Sequence, residues 1–178
     1  DLVRSRGLGD VYKRQVYPYD TYIPEGRGRK SNKYWFQQLK DNHFNATAYS
    51  NRPELVGGQK DGEAYHYRRF TTGVEADVAI EFLRNRKGQR DASKPFSLFL
   101  SVNPPHTPYH RLTDCKEEVF NQYYKDLKTE EVLLRPNVQV GEGTQVKNKE
   151  RLTFEAKIYF SLIKSVDDEI GRVLKVLD

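Results

Sequence analysis

Two histidines lie in a proline-laced segment, Asn103-Pro104-Pro105-His106-Thr107-Pro108-Tyr109-His110. The prolines fix φ at three positions, so His106 is expected on a stiff loop. An imidazole there can donate a proton or hold an anionic group, because its pKa lies near neutrality. The same pattern also fits a loop whose histidines only hydrogen-bond backbone, since stiff loops after strands are common. Elsewhere, His66 sits in Tyr65-His66-Tyr67 and reads as packing within an aromatic segment. Cys115 is the single cysteine, which excludes an internal disulfide framework and a Cys-based zinc site. The adjacent acids Asp167-Asp168 invite a cation reading. On a helix, however, neighbours point about 100° apart, so an exposed helix face is expected. Asn45-Ala46-Thr47 is a glycosylation sequon, meaningful only in a eukaryotic secretory setting.

The loop needs elements to hold it. Phe96-Ser97-Leu98-Phe99-Leu100-Ser101-Val102, opened by Pro95, carries the strongest strand signal. Phe96, Leu98, Leu100 and Val102 share one face and Phe99 makes the other partly apolar, a pattern suited to a strand covered on both sides. It ends at Asn103-Pro104-Pro105, because proline cannot donate to a ladder. Before it, Thr71 or Thr72 caps a helix to about Arg86, with Val74, Val78, Ala79, Phe82 and Leu83 at helical spacing. A short helix is expected over Lys116–Lys128 after a Thr113/Asp114 cap. Arg135–Gly143 reads as loop. The last element is a long helix whose apolar stripe runs through Tyr159, Leu162, Ile163, Val166, Ile170, Val173, Leu174 and Leu177. Tyr34–Phe36 and His43–Tyr49 read as short strands or extended turns, and Asn51–Gly62, with Pro53 and Gly57-Gly58, as loop. Helix, buried strand, loop and helix in this order make an α/β arrangement with an incomplete sheet.

Composition sets the outer limits. The chain has 178 residues, 31% of them charged and 37% hydrophobic, with a mean hydropathy of −0.84. No apolar run approaches the roughly 18 residues of a helical membrane span. Methionine is absent, even at position 1, so a piece of a longer product is expected. The net charge of +5 raises the question of a nucleic-acid or other polyanion partner. Residues 1–15, DLVRSRGLGDVYKRQ, lack periodicity and an apolar core of the signal-peptide kind. They resemble translated adapter read-through and are set apart from residues 16–178. Without them the basic excess becomes ordinary, and no nucleic-acid motif appears.

Residues 95–110, PFSLFLSVNPPHTPYH, resemble the strand and histidine loop of the formylglycine-dependent sulfatases of the alkaline-phosphatase-like superfamily. Four further stretches agree in order: Tyr34-Trp35 with His43-Phe44-Asn45, Glu75–Leu83, Leu134–Val138 and Val166–Arg172. The resemblance implies part of a sulfatase catalytic domain, with a central buried strand flanked by helices. It implies that His106 contacts the sulfate and helps protonate the leaving alcohol oxygen, and that His43 lines the substrate pocket. The family's nucleophile is a formylglycine made from the Cys of a Cys-x-Pro/Ser/Ala-x-Arg motif. Cys115, followed by Lys116-Glu117-Glu118-Val119, does not match and is expected to be an ordinary thiol. Calcium is implied for the whole enzyme, with its ligands outside this chain.

The reading that results is part of a sulfuric ester hydrolase, periplasmic or extracellular, acting on sulfated carbohydrate. A phosphomonoester or phosphodiester hydrolase of the same superfamily is the alternative, and a basic nucleic-acid-binding module a more distant one. The basic run Arg27, Arg29, Lys30 and Lys33 is expected on a solvated loop, with sulfated polysaccharide as the other reading. Residues 16–178 alone, supplied with calcium, are expected to leave an aryl sulfate intact over a prolonged assay. Measurable turnover would contradict the assignment of the nucleophile and metal ligands to other residues.

Overall fold

The structure is a computed structural model that describes residues 21–26, 29, 32–39, 43–88, 90–132, 137 and 148–177. Residues 1–15 and, apart from Asn137, the Arg135–Gly143 loop and the Leu134–Val138 motif lie outside the described residues. The described residues divide into two compact units, one drawn from 21–39 and 45–68 and the other from 43–44 and 69–177.

The first unit is a three-stranded antiparallel sheet in the order β1 (Phe36–Gln38), β2 (Ala46–Ser50), β3 (Tyr65–Tyr67). Ala46, Ala48 and Ser50 are buried while Thr47 and Tyr49 are less so, the period-2 alternation of a half-buried strand. Register places Thr47 opposite His66 on the outer face, and Thr47 Oγ1 and His66 Nδ1 share a 2.9 Å hydrogen bond. His66 is therefore exposed and bonded across the strands rather than packed, while its neighbour Tyr67 takes the buried side. Arg29 also departs from expectation. It is buried, paired with Asp61, bonded to the Tyr22 hydroxyl, and stacked near the Tyr22 and Trp35 rings. The basic run thus contributes a pinned cation, because a guanidinium can leave water once a carboxylate and aromatic faces replace its hydration.

The second unit is built from α1 (Thr71–Arg84), α2 (Glu117–Tyr123), α3 (Thr129–Val132) and α4 (Lys149–Leu174). Helix α1 follows the expected span, but Phe70 rather than Thr71 or Thr72 stands at its N-cap, and it stops at Asn85, which adopts φ +51 in the left-handed region. Lys116, rather than the Thr113/Asp114 pair, stands at the N-cap of α2, with Glu117 and Glu118 favourably placed in its first turn. Asn148 caps α4, its side chain accepting the Arg151 N–H at 2.8 Å. The core joins Phe70, Cys115, Phe120, Ile158 and Leu162, with Phe44, Tyr109, Leu112 and Val166 packed against it.

The buried face of α4 differs from its apolar stripe. Ile158, Ser161, Leu162, Ser165, Glu169 and Val173 are buried, whereas Tyr159, Ile163, Ile170 and Leu174 are exposed. The burial is rotated by roughly a quarter turn relative to the apolar stripe. A glycine of α1 stands opposite this buried face. At Gly73 of α1 an added Cβ would lie 3.3 Å from Glu169 Oε1, so α1 makes room for that carboxylate by carrying no side chain there. Ser161 and Ser165 return their hydroxyls to the carbonyls of Lys157 and Ser161 and leave no donor unpaired. Charges then tie the contact. Glu169 accepts from Lys116 at 2.9 Å and from Arg172, while Asp77 of α1 accepts from both Arg172 and Arg69. Those arginines hold the Asp77 carboxyl below its ordinary range against the opposing effect of burial.

Residues 96–102 form no ladder with any described residue. Phe99 is 79% exposed, and Phe96, Leu98 and Leu100 are exposed as well. The segment is not the buried central strand the alternation implies. A strand covered on both faces needs neighbours for its N–H and C=O groups, and no described strand supplies them. One contact does form: the Phe96 ring meets Phe82 of α1 edge-on at 5.3 Å, with the Arg90 guanidinium 4.7 Å above Phe96.

Glu75 is buried in α1 with Oε2 unpartnered, and burial pushes its carboxyl up to about 8 from 4.5. Folding therefore favours the protonated acid. The penalty is absent below pH 4.5 and grows until the pH passes the raised folded value. Glu75→Gln should raise the melting temperature at pH 8 and leave it nearly unchanged at pH 4.5. The difference at pH 7 corresponds to about 3 kcal/mol. Equal effects at both pH values in a thermal melt would refute the buried, uncharged acid.

Candidate functional site

The segment after residues 96–102 turns at once: the His106 N–H donates to the Asn103 carbonyl at 3.0 Å. The Pro104-Pro105 and Thr107-Pro108 peptides are both cis. His106 itself is exposed. Its Nδ1 lies 3.0 Å from the Thr107 carbonyl, and a carbonyl only accepts, so Nδ1 carries the proton in that bond. That leaves Nε2 as the nitrogen available to an external group. A ring so arranged can accept a hydrogen bond when neutral and donate a proton when charged.

His43 lies beneath the loop. It is fully buried, and its Nε2 is 2.8 Å from the Pro108 carbonyl. Because that acceptor has no proton to give, Nε2–H donates and the ring is the Nε2 tautomer. Nδ1 is buried without a partner. The His43 main-chain carbonyl accepts the Thr71 N–H at 2.9 Å, so the same residue anchors the start of α1. Phe44 follows, its ring 5.5 Å from Phe70 in the core. Burial lowers the His43 pKa. The backbone of Pro108 and His106 and the charge of Asp114 oppose that shift, and His106 adds to it.

The far end of the loop is closed by Asp114, whose Oδ2 accepts the N–H groups of His110 at 2.8 Å and Arg111 at 2.9 Å. Tyr109 packs edge-on against Tyr159 of α4 at 5.7 Å. The exposed His110 ring bonds Glu155 through Nδ1 at 3.0 Å, and Glu155 also accepts from Arg151. His110 is thus engaged with α4 rather than facing the same way as a free Nε2.

No family model matches the chain. An endo-4-O-sulfatase of Bacteroides thetaiotaomicron is 29% identical over 170 residues, spanning 95% of this chain and 30% of the relative. A solved B. thetaiotaomicron structure, described under the metabolism of multiple glycosaminoglycans, superposes with a TM-score of 0.72 at 30% identity. That match covers 88% of this chain and 29% of the other. Over most of its length the chain is similar to sulfatases. A Bacteroides fragilis structure assigned as a sulfatase shares the fold, with a TM-score of 0.61 at 21% identity over 94% of this chain and 39% of its own. The chain spans about 30% of the length of the curated relative it matches.

Cys115 is buried, its Sγ 3.4 Å from the Leu112 carbonyl, and burial pushes its thiol up to about 11. A thiol so held forms little thiolate near neutrality and makes a poor nucleophile. Asp167 and Asp168 are exposed on α4, and Asp168 pairs with Lys164 one turn earlier. Among the described residues no group of three or more His, Cys, Asp or Glu side chains converges as a metal site. The acids among the described residues therefore do not assemble into the calcium site that the sulfatase resemblance implies. Two residues carry more of the site than their sequence context revealed. The type and spacing of His43 give no sign of a bond across 65 positions to Pro108. Asp114 was read as a helix cap, although an acid following a loop can equally turn back to close it.

A neutral buried His43 contributes stability above its ordinary pKa of 6.5, and that contribution is lost as pH falls through the lowered folded value. Between pH 7.5 and 5 the wild-type melting temperature should fall relative to His43→Gln, which keeps an N–H donor and cannot titrate. The carboxylates paired with arginine change charge at lower pH, and Glu75 acts equally in both proteins. Parallel melting curves across this range would show that His43 is not held uncharged.

Proposed function

We propose that the chain contributes the general-acid histidine of a sulfuric ester hydrolase acting on sulfated carbohydrate. The observation that carries the reading is His106: an exposed imidazole, its Nδ1 engaged, on a loop closed at both ends, in a chain similar to sulfatases over most of its length. In hydrolysis the S–O bond to the alcohol breaks, and the departing oxygen needs a proton. Nε2–H of a protonated His106 would supply it while its charge attracts the sulfate oxygens. The ring's hydrogen bond to Thr107 fixes which nitrogen does this, since Nδ1 is already committed.

The formylglycine nucleophile and the calcium site are proposed to belong to other parts of the enzyme; the buried Cys115 and the exposed Asp167-Asp168 suit neither. Carbohydrate is favoured because one relative is an endo-4-O-sulfatase and a structural relative comes from glycosaminoglycan metabolism. A polymeric sulfated substrate would be met in the periplasm or outside the cell. Among the described residues no helix is long and apolar enough to cross a membrane.

In the full-length enzyme carrying this chain, His106→Ala should lower kcat/KM on a sulfated oligosaccharide by about a hundredfold or more, the usual range for loss of a general acid. An aryl phosphate should be a far poorer substrate than the matching aryl sulfate. An unaltered rate in His106→Ala would remove His106 from the chemistry. Preferential phosphate hydrolysis would move the enzyme to the phosphoesterase branch of the superfamily.

A further inference from the structure

We infer that His43 is a positioning residue for His106, acting through the Pro108 carbonyl rather than by touching substrate. The inference rests on the role of His106 proposed above. It starts from the composition of the loop. Pro104, Pro105 and Pro108 lack an N–H, so the segment has few donors with which to satisfy its own carbonyls. A loop carbonyl facing the protein interior must find a donor elsewhere or forfeit a hydrogen bond. Pro108, two residues beyond His106, finds it in the His43 ring at 2.8 Å.

His43 is suited to the task because it is fixed by more than its ring. Its carbonyl receives the Thr71 N–H at the first turn of α1, and the next residue, Phe44, is packed into the core. One buried residue therefore links segment 43–44, the start of α1 and the histidine loop. The ring has no accessible surface through which it could meet a substrate. Its Nδ1 is left unpartnered in the interior, an expense that an apolar side chain of similar size would avoid. What the imidazole offers in exchange is a rigid N–H of the right reach. With Asp114 holding His110 and Arg111 a few residues further on, the loop is tied twice immediately after Thr107, the residue that accepts from His106 Nδ1.

Two variants separate positioning from packing and from substrate contact. His43→Phe keeps a ring of similar volume without a donor, and His43→Gln keeps a donor. In the full-length enzyme His43→Phe should lower kcat by about a hundredfold, the scale expected for a catalytic group displaced by about an ångström. KM should remain within about threefold, and His43→Gln should recover most of kcat. A rise in KM at constant kcat would make His43 a substrate contact, and unchanged kcat in both variants would make it core packing. Either result overturns the inference. Should His43→Phe fail to fold, His43→Asn, whose amide is too short to reach Pro108, replaces it with the same expectations.

Amide exchange on the 178-residue chain decides the matter independently of any activity. The His106 and His110 amides should exchange roughly tenfold faster in His43→Phe than in wild type or His43→Gln, as expected for loss of one buried hydrogen bond. Faster exchange in an enzyme that hydrolyses no sulfate ester would retain the clamp and refute the functional reading. Unchanged exchange would refute the clamp whatever the activity.

Discussion

The hydrogen bond from the buried His43 ring to the Pro108 carbonyl is the constraint on which the site depends. A proline-rich loop is stiff within itself, but stiffness does not say where the loop sits. Location requires a bond from the loop to something that cannot move. His43 supplies that bond while its own backbone is spent on Thr71 and its neighbour Phe44 on the core. The exposed ring of His106 is thereby presented by a chain of contacts that runs back to the hydrophobic interior. An imidazole free to wander would lose most of the rate advantage that orientation confers.

The helical frame behind the loop is held by different physics. Helices α1 and α4 approach at Gly73, where Glu169 packs, and the contact carries a partly buried Lys116–Glu169 pair and a more exposed Arg172–Asp77 pair. Lys116 contributes twice, as the donor to Glu169 and as a cation 4.7 Å from the Phe70 ring. Removing one partner of such a cluster would strand the others in a poorly hydrated place. Beside it, the apolar flank of α4 and residues 96–102 stay exposed among the described residues. The match to about 30% of a sulfatase relative accords with surfaces that find cover elsewhere in a larger domain.

Local pattern carried much of the fold. The body of helix α1, the later turns of α4 from Tyr159 on and the loop at Asn103–His110 were legible because each is announced by period or by proline, whereas the first ten residues of α4 and its Asn148 cap were not. The orientation of α4 was not legible either, since apolar periodicity favours Tyr159, Ile163 and Ile170, whereas the buried face includes Ser161, Ser165 and Glu169. His66 and Arg29 were misread for a related reason: one owes its exposure to cross-strand register, the other its burial to partners 7 and 32 positions away. At the site, the type and setting of His106 pointed to the acid role proposed for it. The function of His43 depends on a contact between distant segments, and no spacing in one sequence encodes that. Cys115 was legible by elimination, and its burial supplies the physical cause of its inertness.

The central claim is that a buried, uncharged His43 holds the loop through Nε2–H. Long-range ¹H–¹⁵N correlation spectra of the imidazoles test it most directly, because the two neutral tautomers and the charged ring give different nitrogen shifts. The account requires His43 to be the Nε2–H tautomer at neutral pH, to show a hydrogen-bonded Nε2 proton, and to resist protonation below its ordinary pKa of 6.5. A His43 protonated on Nδ1, or one that titrates like a solvent-exposed histidine, would contradict it.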